Sequence, residues 1–244
     1  MRIVSLVPSL TELVLDLGLE KELIGRTKFC IHPHHKIKSI PKIGGTKNAN
    51  ISAIIDLQPD LILANKEENT KQDIEVLIQA TQVYISDISN YHEAIQAIHK
   101  IGELTNRQKE SENLVQKIEL GFSTLSNLSP DKKKVCYLIW NDPMMTVGQD
   151  TYIHDMLHNC GLENIFANQK RYPEVNVEEI KDKKPDYIFL SSEPFPFKEK
   201  HIEEYKLLFP NSKIVLVDGE YFSWYGSRMA LAADYFKKLV EVLV

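Results

Sequence analysis

The chain writes one eighteen-residue unit twice, without a gap. Residues 50–67 read NISAIIDLQPDLILANKE and residues 176–193 read NVEEIKDKKPDYIFLSSE. In each copy an Asn opens a short helix, a Pro closes it, and an Asp leads into an apolar run, LILA or YIFL. Strands that are apolar at every position belong to a parallel sheet covered on both faces. Upstream, Gly18-Leu19-Glu20 and Gly161-Leu162-Glu163 each follow an amphipathic stretch, so whole α/β units are duplicated in the same order. The first copy carries about seventeen extra residues between these landmarks, including KFCIHPHHKIKSIPKIGGTK.

The first apolar run, RIVSLV, predicts a buried strand. Ser9 and Glu12 then match a capping box for a helix that stops at Gly18. From Thr105 to Leu128 there is no Pro, and Val115, Ile118, Phe122 and Leu125 form an apolar stripe. Thr105 and Gln108 fit a second capping box, and Pro130 closes the run. A helix of about 22 residues spans about 33 Å, the size of a domain. It is read as a strut between two lobes, dividing the chain into 1–104, 105–128 and 129–244. The expected fold class is therefore α/β: two Rossmann-like lobes joined by one long backbone helix. Ligands gather beyond the carboxyl ends of strands in such sheets, and domain interfaces are common pocket sites. The repeat thus places Asn65-Lys66-Glu67 and Ser191-Ser192-Glu193 at equivalent rims of a cleft, which makes Glu67 and Glu193 candidate binding residues.

A net charge of −5 with no basic stripe gives no electrostatic reason to expect nucleic acid. No apolar run reaches the roughly 18 residues of a spanning helix. The opening MRIVSLVPSLTEL lacks a signal-peptide pattern. As numbered, the chain is expected to be cytoplasmic, or periplasmic or in the cell envelope if a leader has been removed. A monomer is expected. Cys30, Cys136 and Cys160 are too few and too scattered for a disulfide framework, and Cys136, within VCYLIW, reads as core filler.

The order and spacing of RIVSLVPSLTEL, Ile24-Gly25, NISAIIDLQPDLILA, the strut, GLENIF, RYPEVNVEEI and EYFSWYGSR carry a resemblance. Together they resemble the substrate-binding proteins of ABC importers for cobalamin, haem and iron–siderophore complexes. This is the class III periplasmic-binding-protein fold with a helical backbone, and the chain is most similar to the cobalamin-binding branch. The resemblance implies a corrinoid ligand, cobalamin or cobinamide, with no cofactor required. It also implies aromatic walls from His32, Trp140, Tyr172, Trp224 and Tyr225, which suit a large flat ligand. Lys28, Lys47, Lys66, Arg171 and Arg228 are the polar groups placed to meet its edge. The family's two permease-docking glutamates fall on Ser52 and Ser223, so an ABC permease partner would need shifted points such as Glu12, Glu178 or Glu220. A soluble corrinoid carrier or sensor inside the cell is the alternative.

Two other readings stay open. A ferric siderophore would suit the cationic edge, and haem would suit His32 or a Tyr. Cys30-Ile31-His32 places a thiol and an imidazole on one face of extended chain, the donor pair of a soft-metal site or an axial cobalt ligand. That pair would make a metal-dependent enzyme or sensor. His154 and His158 stand at i, i+4, the zinc spacing, at a helix end where histidines also suit the dipole. They read as a surface pair. No hydrolase elbow or phosphate loop is present in the sequence, and catalysis is not expected.

Overall fold

The computed structural model describes residues 1–125 and 132–243. Its contacts divide into two compact units. The first comprises Met1–Ile88, His92–Gln116 and Trp224–Arg228, and the second Ser89–Tyr91, Lys117–Ser223 and Met229–Val244.

The first unit runs β1 (Ile3–Ser5), α1 (Pro8–Asp16), β2 (Leu23–Arg26), α2 (His34–Ile37), α3 (Ile51–Asp56), β3 (Leu61–Asn65), α4 (Lys71–Ala80) and β4 (Gln82–Ser86). After it come α5 (Tyr91–Leu104) and α6 (Gln108–Ser123). The second unit runs β5 (Lys134–Leu138), β6 (Trp140–Asn141), β7 (Met144–Met145), α7 (Tyr152–Asn159), β8 (Glu163–Asn164), α8 (Val177–Asp182) and β9 (Tyr187–Ser191). It ends with α9 (Glu199–Leu208), β10 (Lys213–Val217), α10 (Gly219–Ser223) and α11 (Met229–Leu243). Both main sheets are parallel, in the orders β2-β1-β3-β4 and β8-β5-β9-β10. These are one topology used twice, as the repeat requires.

The repeated residues do the same work in each unit. Asn50 and Asn176 cap α3 and α8 by accepting the amides of Ala53 and Glu179. Gln58 and Lys184 then adopt left-handed φ values of 47° and 50° just before the paired prolines. Asp60 accepts the Arg2 amide at 2.7 Å, and Asp186 accepts the Lys134 amide at 2.8 Å. Each carboxylate thereby fixes the start of its strand against the sheet's first strand. Thr81 and Ser212 each donate a 2.7 Å hydroxyl bond to the carbonyl of the repeat's proline. Gly18 and Gly161 are left-handed, at φ 78° and 73°. The amides of Leu19 and Leu162 reach back to Val14 and Leu157, so both helices end in the same Schellman turn.

The strands read as apolar throughout are buried throughout, β3 and β9 alike. Val4, Leu6, Ile54, Ile62 and Leu77 centre the first core. Leu138, Ile180, Ile188, Tyr205 and Phe209 centre the second, with Cys136 among them. Burial pushes the Cys136 thiol up to about 12, as expected for a packing group.

Both predicted capping boxes fail, for local reasons. Pro8 already starts α1, because its missing N–H costs a first helical turn nothing. Ser9 and Glu12 therefore lie inside the helix. Thr105 turns its hydroxyl back to the Ile101 carbonyl at 2.7 Å and closes α5, and Asn106 is left-handed at φ 56°. The long helix begins afresh at Gln108 and its 16 residues span about 24 Å. Val115, Ile118, Phe122 and Leu125 are buried as the stripe predicted. The predicted end at Leu128 and the stop at Pro130 lie outside the described residues.

Candidate functional site

The carboxyl ends of the parallel strands place the candidate residues of each unit. In the first unit, β2 ends at Arg26, whose guanidinium is buried and spent on the loop that follows. It donates to the carbonyls of Thr27 at 3.2 Å, Cys30 at 3.0 Å and Ile37 at 3.2 and 3.0 Å. Four hydrogen bonds from one cation to three backbone carbonyls fix a loop that carries Phe29, Ile31 and His32. Phe29 and Ile31 are 50% and 46% exposed, unusual for side chains of their size on so firmly held a loop. At the end of β3, the Asn65 side-chain oxygen accepts the amides of Glu67 at 2.8 Å and Glu68 at 3.1 Å. Lys47 donates to the Glu67 carbonyl, and Lys66 pairs with Asp87 at 2.5 Å. Lys47 and Glu67 are thus brought to one place.

His32, Trp224 and Arg228 also come together. The His32 and Trp224 rings meet edge-on with centroids 5.5 Å apart. The Arg228 guanidinium lies over the indole at 4.9 Å. Glu12 takes Arg228 with both oxygens, at 2.9 and 2.7 Å. Burial pushes the Glu12 carboxyl up, against the pull of the guanidinium beside it. The sequence reading of these residues needs correcting. Trp224 is only 8% exposed, Tyr225 and Arg228 are buried too, and Glu12 is no surface docking point. FSWYG is aromatic because it packs. Gly226 is left-handed at φ 100°, and a Cβ added there would stand 3.5 Å from the Ser9 carbonyl oxygen and from Leu13 on α1. Tyr225 lies among Ser9, Ser86 and Glu68, and burial raises its phenol well above the ordinary range.

Cys30 sits apart from this group. Its sulfur is fully buried, 3.0 Å from the Thr11 hydroxyl and 3.2 Å from that of Thr27. Burial, the larger effect, pushes the thiol up despite those bonds. A packed thiol fits this setting better than a thiolate ligand. Among the described residues no group of three or more His, Cys, Asp or Glu side chains is placed to hold a metal. His154 is half-buried, 3.2 Å from the Asn164 amide nitrogen, and burial lowers its pKa.

In the second unit, β5 ends just before Trp140, which is 39% exposed. Its indole N–H donates to the Asp142 carbonyl at 3.1 Å, and its ring meets Phe195 edge-on at 5.7 Å. Phe195 rests in turn on Phe197 and His201, at 4.7 and 5.6 Å. An exposed indole on a half-buried aromatic footing is a platform for another flat surface. Phe195 was missed in the sequence, although EPFPF after an apolar strand signals a held aromatic loop. The β6–β7 ribbon pairs Trp140 with Met145, and Met145 bridges Glu174 on its other side. That lateral pairing holds Arg171 and Tyr172 beside the ribbon. Arg171 is left-handed at φ 59°, its amide bound to Asp150 at 2.5 Å and its guanidinium 5.6 Å from the Tyr172 ring centre. Glu193 accepts the Ser223 hydroxyl, and Ser191 donates to the Glu193 carbonyl at 2.6 Å. Gly219 is required here, since a Cβ would come within 2.4 Å of the Ser191 oxygen. Ser52 is exposed and Ser223 half-buried.

At the opposite, amino ends of β3 and β9 the repeat leaves two matching hollows, of 410 and 480 Å³, beside Pro59-Asp60 and Pro185-Asp186. They follow from the duplicated strand entry rather than from any convergence of polar groups.

Residues 3–206 match the periplasmic binding protein family. The chain belongs to that family. It is 29% identical over 198 residues to an uncharacterised ABC transporter substrate-binding lipoprotein of Bacillus subtilis, YvrC, covering 77% of this chain and 62% of that one. It is 26% identical over 238 residues to the vitamin B12-binding protein of Photorhabdus laumondii, covering 96% and 86%. The crystal structure of the periplasmic vitamin B12-binding protein BtuF of Vibrio cholerae superposes with a TM-score of 0.84 at 21% identity, over 99% and 97% of the two chains. At that identity the likeness shows the fold. No helix among the described residues is long and apolar enough to cross a membrane.

Proposed function

We propose that this chain is a solute-binding protein for a corrinoid, held by loops at the carboxyl ends of parallel strands. The observation that carries the reading is the match to a vitamin B12-binding protein along 96% of the chain. The exposed Trp140–Phe195 platform supports it, as do Phe29, Ile31 and half-buried His32 on their pinned loop. A corrin ring is broad and flat with amide-bearing edges. Each unit offers such a ring polar groups beside its aromatic faces: Lys47 and Glu67 in the first, and Arg171, Tyr172 and Glu193 in the second. Trp224, Tyr225 and Arg228 serve this site from behind, as its support.

An ABC permease is the proposed recipient, and the cell envelope the proposed compartment, since one relative is an ABC transporter substrate-binding lipoprotein. Ser52 and Ser223 supply no docking charge. Glu178, exposed at the start of α8, is the acidic group better placed for it.

Calorimetric titration with cobalamin and cobinamide tests the reading. Binding at about micromolar strength or tighter is expected for at least one of them. No heat from either, with heat from haemin or a ferric siderophore, would reject the corrinoid and retain the binding protein.

A further inference from the structure

We propose that Glu12, which touches no ligand, is a positioning residue that sets the His32 ring through Arg228 and Trp224. The inference rests on the reading of His32 as part of the ligand face.

Four side chains form an unbroken series. Both Glu12 oxygens engage Arg228, through Nε at 2.9 Å and the terminal nitrogen at 2.7 Å, which fixes the plane of the guanidinium. That plane lies over the Trp224 indole at 4.9 Å, a contact in which charge and ring quadrupole favour one placement. The indole meets the His32 ring edge-on at 5.5 Å with 72° between planes. Glu12, Arg228 and Trp224 are all buried, whereas His32 is half-buried. The series therefore runs from an enclosed carboxylate to the one member that is partly exposed. The backbone on either side of His32 is held separately, by Arg26 on the Cys30 and Ile37 carbonyls. Arg26 thus fixes where His32 is, and the Glu12 series fixes how its ring is turned.

A glutamine at position 12 keeps one acceptor but turns an amide NH₂ toward the guanidinium N–H groups, a donor facing donors. Arg228 must rotate, and the rings stacked on it follow. Carbon–proton NMR of ring-labelled histidine in ligand-free protein reads this directly, because the Trp224 ring current displaces the His32 signal. Glu12→Gln is expected to move that signal and to leave the His201 signal, set by Phe195 and Phe197, where it was. Cobinamide affinity should fall about threefold or more. An unmoved His32 signal overturns the proposal, and so does a moved signal with unchanged affinity. If Glu12→Gln does not fold, Arg228→Lys keeps a charge for Glu12 but loses the planar fork, and must move the same signal. If the wild-type protein takes up no cobinamide, the corrinoid reading fails separately, and the positioning stands or falls on the His32 signal alone.

Discussion

Arg228→Met is expected to destabilise the protein by about 3–5 kcal/mol at pH 7.5, because it leaves the Glu12 carboxylate buried without a counter-charge. In a chain of this size that lowers the melting temperature by on the order of 10 °C. The cost should shrink in acid. Without the guanidinium, the main opposition to the burial that already pushes the Glu12 carboxyl up is gone. The folded variant then keeps a proton that the unfolded chain releases above the ordinary carboxylate range. Stability bound to that proton is fully present at low pH and is lost as pH rises. The difference from wild type should therefore be smaller at pH 5 than at pH 7.5. Glu12→Met combined with Arg228→Met should recover most of the loss, since two apolar groups of similar volume need no pairing. Denaturant titrations of the three proteins at both pH values decide this. A loss under about 1 kcal/mol for the single variant would mean that the pair is far better solvated than its burial implies.

Trp140→Ala should do the reverse, sparing stability and removing affinity. The ring is partly exposed and its N–H reaches only a neighbouring carbonyl, so truncation opens no core cavity. At the ligand face it deletes a large rigid surface already held by Phe195. Loss of an aromatic anchor of this kind costs about 2 kcal/mol or more, roughly thirtyfold in the dissociation constant. Calorimetry with cobinamide should show that loss beside a nearly unchanged melting curve, and undiminished affinity would take the platform out of the site. Trp224→Ala makes the contrast. Its buried ring packs against His32 and under Arg228, and its removal costs stability in the manner of a core truncation.

Trp140 and Trp224 show what could be read from the chain and what could not. Both are aromatic residues in loops after apolar runs, and composition does not distinguish the exposed one from the buried one. The difference arises from contacts remote in sequence: Arg228 to Glu12 spans 216 residues, and no local pattern announces it. The duplicated fold was legible because its signals are local. Asn caps, left-handed glycines, Pro stops and uninterrupted apolar strands each act within a few residues, and each is written twice. Ser9 and Thr105 misled as caps because the same hydroxyl can serve a helix start or bond back to a carbonyl, and Pro8 and Ile101 decided between them. Arg26 carried no signal at all. A lone arginine at a strand end becomes the anchor of a loop only when three carbonyls close around it.

The central claim is that the chain takes up a corrinoid at loops beyond the carboxyl ends of its strands, and hydrogen–deuterium exchange with and without cobinamide tests it most directly. Slowed exchange is predicted within residues 27–48 of the first unit, and within residues 139–148, 171–175 and 192–197 of the second, with no change beside Pro59-Asp60 or Pro185-Asp186. No protection in any of these loops, or protection centred on those amino-end hollows, would contradict it.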